Sequence, residues 1–257
     1  MNYLKYKVKE EYPKVWYRQR SYFTGAQLKY LAMFFMLLSH IAQTGFLYRM
    51  GREHYALADI FVSLGRIAMP IFCFFTVQAI IYTRDFKKYA LRMLLFAIIS
   101  EISFDLAIYE QPFYWDSQNV FFTLLIAAVV IYWIDYLWKS DYNPILKILA
   151  ILIVVILGRN LSLIMRMDYS ANGIIAIVLL YFAKDNKILT ALALLVGFYF
   201  EFRVFGYAIP VTYGFVYLSI PFIMLYNGQR GKQNKWAFYI FYPAHLLFIY
   251  LLKLLIL

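Results

Sequence analysis

The chain has one cysteine, Cys73, in 257 residues. That count excludes an intramolecular disulfide and a cysteine metal cluster, and no metal site is expected. Charge is scarce too. Charged residues make up 15% of the chain, and only 14 residues are acidic. Soluble domains carry about 25% charged residues. There is no Gly-rich or aromatic-basic motif of the kind that grips RNA or DNA, no repeat at a fixed period and no low-complexity linker. The first 20 residues are polar and basic, without the apolar run of a cleavable signal peptide.

What the chain has is apolar surface. Its hydrophobic fraction is 64% and its mean hydropathy is +0.65, against roughly 45–50% apolar residues in soluble domains. A bilayer absorbs such a surface. The charges cluster between long apolar runs, which reads as an all-α, polytopic membrane bundle. The net charge of +11 first suggests nucleic acid. The basic residues, however, sit in short loops between apolar segments, so no nucleic-acid partner is expected and topology accounts for the charge.

Nine apolar segments stand out, over 28–47, 60–82, 89–109, 120–138, 144–158, 171–183, 188–201, 211–226 and 236–256. The fifth to seventh fall short of the roughly 20 residues a span needs. With the N-terminus in the cytoplasm, 18 of the 25 basic residues lie inside. The seven outside are Arg49, Arg52, Arg66, Arg159, Arg166, Arg203 and Lys253. This asymmetry favours nine spans with the C-terminus outside. Residues 1–25 mix Tyr3, Leu4, Tyr6, Val8 and Trp16 with lysines and read as an interfacial segment on the anionic inner leaflet. Residues 26–257 read as one transmembrane domain.

An ionisable side chain at bilayer depth costs roughly 2.5–3.5 kcal/mol or more, so each one is a functional candidate. On this topology His40, Arg66, Glu101, Asp105 and His245, from four spans, share one layer in the outer half. Asp105 lies one turn above Glu101 on the same face. His40 is expected a little past the middle of its span, as a general base, with Glu101 or Asp105 orienting it or balancing Arg66. A structural ion pair among the three charges, and a purely bonding role for His245, remain open. Asp135 reads as interfacial and His54 as ordinary surface. Asn119 and Thr123, one turn apart, suit hydrogen bonds to an acceptor or a thioester carbonyl. They suit helix capping and inter-helix bonding equally.

The inner face gathers Arg84, Lys87, Lys88 and Arg92 in one loop and Arg230, Lys232 and Lys235 in another. Simple positive-inside charge explains them. So does a phosphate-binding mouth, for which Asn227-Gly228-Gln229-Arg230-Gly231-Lys232 is a short, glycine-bearing candidate. A mid-membrane imidazole above a basic mouth fits acyl transfer. Acyl-coenzyme A would enter from inside, and an amine or hydroxyl acceptor would arrive from outside.

Six stretches resemble the TraX family, whose namesake acetylates F-pilin. They are Leu28 to Ile41, Gly65-Arg66-Ile67-Ala68-Met69-Pro70-Ile71-Phe72, Ile99-Ser100-Glu101-Ile102-Ser103-Phe104-Asp105-Leu106, Gln118-Asn119-Val120-Phe121-Phe122-Thr123-Leu124, Leu225 to Gly231, and Phe241-Tyr242-Pro243-Ala244-His245-Leu246. They follow the family order along nearly the whole chain. The family is similar in turn to the broader membrane acyltransferases, which place a basic residue eleven positions before a histidine in span one. Lys29 and His40 have that spacing here, with lysine where arginine is usual. The resemblance implies transfer of an acetyl group from acetyl-CoA to an acceptor outside the cytoplasm. The acceptor would be a pilin or other peptide amine, or an envelope glycan hydroxyl. Lys29, Arg84, Arg92, Arg230 and Lys232 are the expected holders of the coenzyme phosphates. Two rival readings stand beside it: a small-molecule transporter, in which the intramembrane His, Glu, Asp and Arg form a proton relay, and a non-enzymatic assembly factor for an envelope structure, which does not need His40.

Overall fold

The computed structural model describes residues 22–204 and 214–256. Most of the expected interfacial tail, residues 1–21, lies outside the described residues, as do the side chains of Arg203 and Lys235. Among the described residues the chain is helical, and its only extended pairings are two isolated bridges, Phe23 with Tyr226 and Gln118 with Met167.

Helix α1 spans Gly25–Gln43. Thr24 starts it with a capping box: its side chain accepts from the Gln27 amide, and the Gln27 side chain accepts from the Thr24 amide at 2.8 Å. The apolar run continues to 47, but the helix stops at Gln43. Gly45 takes a left-handed φ of 78°, a conformation glycine adopts without steric penalty, and a short α2, Phe46–Met50, follows. His40 therefore sits in the last turn of α1, not near the middle of a span.

The second apolar segment is interrupted. Helix α3, Tyr55–Gly65, and helix α4, Ala68–Tyr82, are joined by a tight turn at Arg66 and Ile67. Pro70 explains the break. It has no amide to donate to the Arg66 carbonyl, and its ring crowds that carbonyl. The turn brings an arginine into an otherwise apolar rod. Gly65 packs where an added Cβ would collide with the Ser39 side chain, so α3 lies tight against α1.

The remaining helices are α5 (Phe86–Tyr109), α6 (Val120–Trp138), α7 (Pro144–Ile164), α8 (Ser170–Ala183), α9 (Lys187–Val204), α10 (Ser219–Met224) and α11 (Lys235–Ile256). The fifth apolar segment looked too short for a span. Helix α7 instead runs through Arg159, Asn160 and Ser162 to 21 residues, and Ser162 turns its hydroxyl back to the Arg159 carbonyl at 2.9 Å. Four helical stretches are long and apolar enough to cross a membrane: Arg52–Tyr82, Val120–Trp138, Pro144–Ile164 and Trp236–Ile256. Helices α1 and α5 have the length but carry polar residues along it, and α8 is shorter.

Helix α4 is the centre. It packs on α1, α6 and α8, and most of its residues are buried. Helix α7 instead turns Ile145, Leu149, Leu152, Ile156 and Leu157 outward, a face suited to lipid. Helices α1, α5 and α11 end together. Lys253, 3% exposed near the end of α11, reaches the Thr44 carbonyl at 2.8 Å, the Ala107 carbonyl at 3.4 Å and Glu110 Oε1 at 2.9 Å. Arg49 shares that carboxylate at 2.5 Å. The other end of α1 is held by the loop before α11: the Gly25 and Ala26 amides donate to the Gln229 and Arg230 carbonyls.

Candidate functional site

The two membrane histidines meet. His40 Nδ1 lies 2.7 Å from His245 Nε2, and the rings stack at 4.9 Å. His245 Nδ1 lies 2.7 Å from the Phe241 carbonyl one turn back. A carbonyl only accepts, so Nδ1 of His245 carries its proton. In the neutral pair His245 Nε2 is then the acceptor, His40 Nδ1 donates to it, and His40 Nε2 keeps its lone pair. These tautomers are assigned from the bonding pattern. In this arrangement His40 presents an unprotonated ring nitrogen and His245 fixes the orientation of its ring. Tyr242 stands edge-on to both rings at 5.8 Å, and Phe241 stacks on His245 at 4.6 Å.

A carboxylate was expected behind His40, and a histidine is there instead. Glu101 and Asp105 hold the loop between α5 and α6. The Asn119 amide donates to Glu101 Oε2 at 3.1 Å, and the Asn119 side chain donates to Glu101 and to the Ala97 carbonyl. The Tyr114 amide donates to Asp105 Oδ2 at 2.8 Å. Glu101 Oε1 and Asp105 Oδ1 are buried and lack hydrogen-bond partners among the described residues. Asn119 also caps α6 through Phe121. Thr123 donates to the Asp168 carbonyl. Both side chains, fully buried, are occupied in capping and tying.

Arg66 acts on Asp168, a residue that sequence reasoning did not single out. Burial pushes the Asp168 carboxyl up to about 6, and the Arg66 charge and the Tyr169 amide pull against that rise. The loop around Asp168 is bound to the loop before α6: the Gln118 amide donates to the Arg166 carbonyl at 3.0 Å and the Asp168 amide to the Gln118 carbonyl at 2.8 Å. Arg166 pairs with Asp116. Arg166, Tyr169 and Ser170 all have positive φ, a costly conformation for such side chains. Asp135 accepts from Tyr181 at 2.8 Å and pairs with Lys139 at 3.0 Å. His54 lies 3.6 Å from Glu53.

Two adjoining cavities lie at the other end of α1. The larger one, about 580 Å³, is lined by Lys29, Arg230, Gln78, Tyr82, Tyr89 and Gln233 among others. The second, about 190 Å³, is mainly apolar and runs from Lys29 past Met33, Met36, Phe72 and Phe121 to Tyr242. Lys29, Phe75, Ala79, Tyr89 and Gln233 line both. Lys29 Nζ lies over the Phe75 ring at 4.8 Å and reaches Gln233 at 3.4 Å. Of the five expected phosphate holders, Lys29 and Arg230 share the cavity wall. Arg92 lies beside Tyr89. Arg84 and Lys232 are exposed and line neither cavity.

These features define an apolar helical protein of membrane type, with an aimed imidazole above a corridor that opens on a basic mouth. The chain belongs to the TraX family: residues 24–253 match the family described as TraX protein. It is also 26% identical over 242 residues to the "Probable fimbrial assembly protein FimC, serogroup H1" of Dichelobacter nodosus, covering 87% of this chain and 93% of that protein. No solved structure matches the chain.

Proposed function

We propose that the chain is a multi-pass protein of the bacterial plasma membrane that moves an acetyl group from cytosolic acetyl-CoA to an acceptor on the outer side. The observation that carries this reading is His40 Nε2, left with a free lone pair by the His245 contact, at the far end of α1 from Lys29. Lys29, Met33, Met36 and His40 lie on one face of α1. Eleven residues of helix rise about 16 Å, a distance comparable to the reach of an extended phosphopantetheine arm. Phosphates held by Lys29 and Arg230 leave the arm in the apolar corridor and the thioester at its Tyr242 end.

The acceptor's N–H or O–H proton passes to His40 Nε2 as its nitrogen or oxygen attacks the thioester carbonyl. The tetrahedral intermediate collapses, the C–S bond breaks, and the thiolate takes the proton back from His40. The imidazolium keeps its bond to His245 throughout. The relative named for fimbrial assembly supports a pilin-type peptide amine as acceptor, with an envelope glycan hydroxyl as the alternative. The 18-to-7 distribution of basic residues supports the inward mouth.

The test is to incubate the purified full chain with acetyl-labelled acetyl-CoA and a peptide amine, and to trace the label. Transfer or hydrolysis that His40→Gln abolishes is expected. No turnover in the wild-type chain overturns the enzymatic reading. It would favour the assembly role that the name of the relative suggests, in which His40→Ala leaves fimbrial function intact.

A further inference from the structure

The apolar corridor stops short. Along α1 it touches Lys29, Met33 and Met36, four and then three residues apart. The next residue on that face, His40, does not line it. Tyr242 touches both: its ring lines the corridor and meets both imidazoles edge-on at 5.8 Å. Phe121, also lining the corridor, packs edge-on against Tyr242 at 5.1 Å.

The α1 wall and the Tyr242 wall differ in stiffness. Met33 and Met36 are unbranched and adapt to what lies against them. Tyr242 is 2% exposed and clustered with Phe104, Ala107 and Leu246. A tightly packed interior resists displacement of such a ring. The methionines of the α1 wall can adapt to an arm of fixed length, whereas the rigid Tyr242 ring limits what the arm carries.

We propose that Tyr242 is the specificity-determining end wall of the donor corridor and that it restricts the acyl group to two carbons. The inference rests on the acyl-transfer reading above. With the phosphates at Lys29 and Arg230, the arm fills the corridor and its acyl group lies against the Tyr242 ring. Each added methylene must push that ring into Phe104 and Leu246. The ring's bulk does the excluding, not its hydroxyl.

The experiment is a series of acetyl-, propionyl-, butyryl- and hexanoyl-CoA, with thiol release read for the full chain in nanodiscs. In the wild type kcat/KM is expected to fall at least about tenfold per added methylene or two, the scale on which a shaped pocket rejects extra carbons. Tyr242→Ala raises the hexanoyl-to-acetyl ratio at least about tenfold, and Tyr242→Phe keeps the wild-type profile. If Tyr242→Ala does not fold, judged by melting and gel filtration, Phe121→Ala at the same wall decides, with a ratio shifted in the same direction. An unchanged ratio in the folded variant overturns the end wall, as does a wild type that accepts hexanoyl as readily as acetyl. A shift in Tyr242→Phe equal to that of Tyr242→Ala overturns the shape argument as well. A wild type that releases no thiol from any donor overturns the acyl-transfer reading instead.

Discussion

His40 and His245, 205 residues apart in sequence, share a 2.7 Å hydrogen bond that leaves one lone pair facing away from the pair. On the proposed mechanism this bond divides the labour between two rings of the same kind. His40→Ala should lower kcat by roughly 10²- to 10⁴-fold, the usual contribution of a positioned base, with little change in the KM for acetyl-CoA. His245→Ala should cost less, because it removes the aim and not the base. His245→Gln, which restores an acceptor for His40 Nδ1, should recover part of the loss. Steady-state kinetics of the three variants check this, and equal losses for His40→Ala and His245→Gln would refute it.

Lys29 and Arg230 line the mouth, whereas Arg84 and Lys232 stand apart from it. Hydrogen bonds to charged groups contribute roughly 1.5–3 kcal/mol, or about 10- to 100-fold in affinity. Lys29→Ala should raise the KM for acetyl-CoA on that scale at nearly constant kcat. Arg84→Ala and Lys232→Ala should change it by no more than about twofold. Titration of the coenzyme by calorimetry distinguishes the two groups.

The clamp at the far end of the bundle should show itself in stability. The Lys253 hydrogen bond and charge, with Arg49, hold the Glu110 carboxyl below its ordinary 4.5. A lowered acid stabilises the fold fully above that ordinary value and loses its contribution as pH falls below it. The melting temperature in detergent should therefore drop on acidification below about 4.5, and Glu110→Gln should flatten that drop. Lys253→Met removes a donor from two carbonyls and leaves the Glu110 carboxylate to Arg49 alone, and should cost about 1–3 kcal/mol.

Gly65 offers a steric test. Gly65→Ala drives a methyl into Ser39, next to His40 in α1. Overpacking of this kind costs about 1–3 kcal/mol, and the shift of α1 should lower activity as well. Ser39→Gly, added to it, makes room and should restore activity and part of the stability. A double-mutant cycle on melting and turnover measures the coupling.

Much of this was legible in the sequence for simple reasons. Apolar runs and their breaks gave the helices, and the cost of burying charge singled out His40, His245, Glu101 and Asp105. Helix ends were less legible. The apolar run through Gly45 hides a left-handed turn, and the polar Arg159 to Ser162 stretch hides one more turn of α7. Partners were least legible, since depth along a helix says nothing of rotation about it. Glu101 and His245 share a layer with His40 on the expected topology, yet only His245 faces it. Asp168 escaped notice because its burial comes from backbone pairing with Gln118, a contact 50 residues away. Tyr242 carried no charge to draw attention, and only the corridor reveals it.

The hydrogen-bond line from His40 through His245 ends on the Phe241 carbonyl. An amide oxygen does not hold a proton at neutral pH, so the line is a dead end for proton conduction. A proton gained at His40 Nε2 has to leave by the face it entered. On the proposed acyl transfer the one proton that crosses at each turnover is the acceptor's own, handed from His40 to the thiolate, and the paired histidines open no second path for it through Phe241.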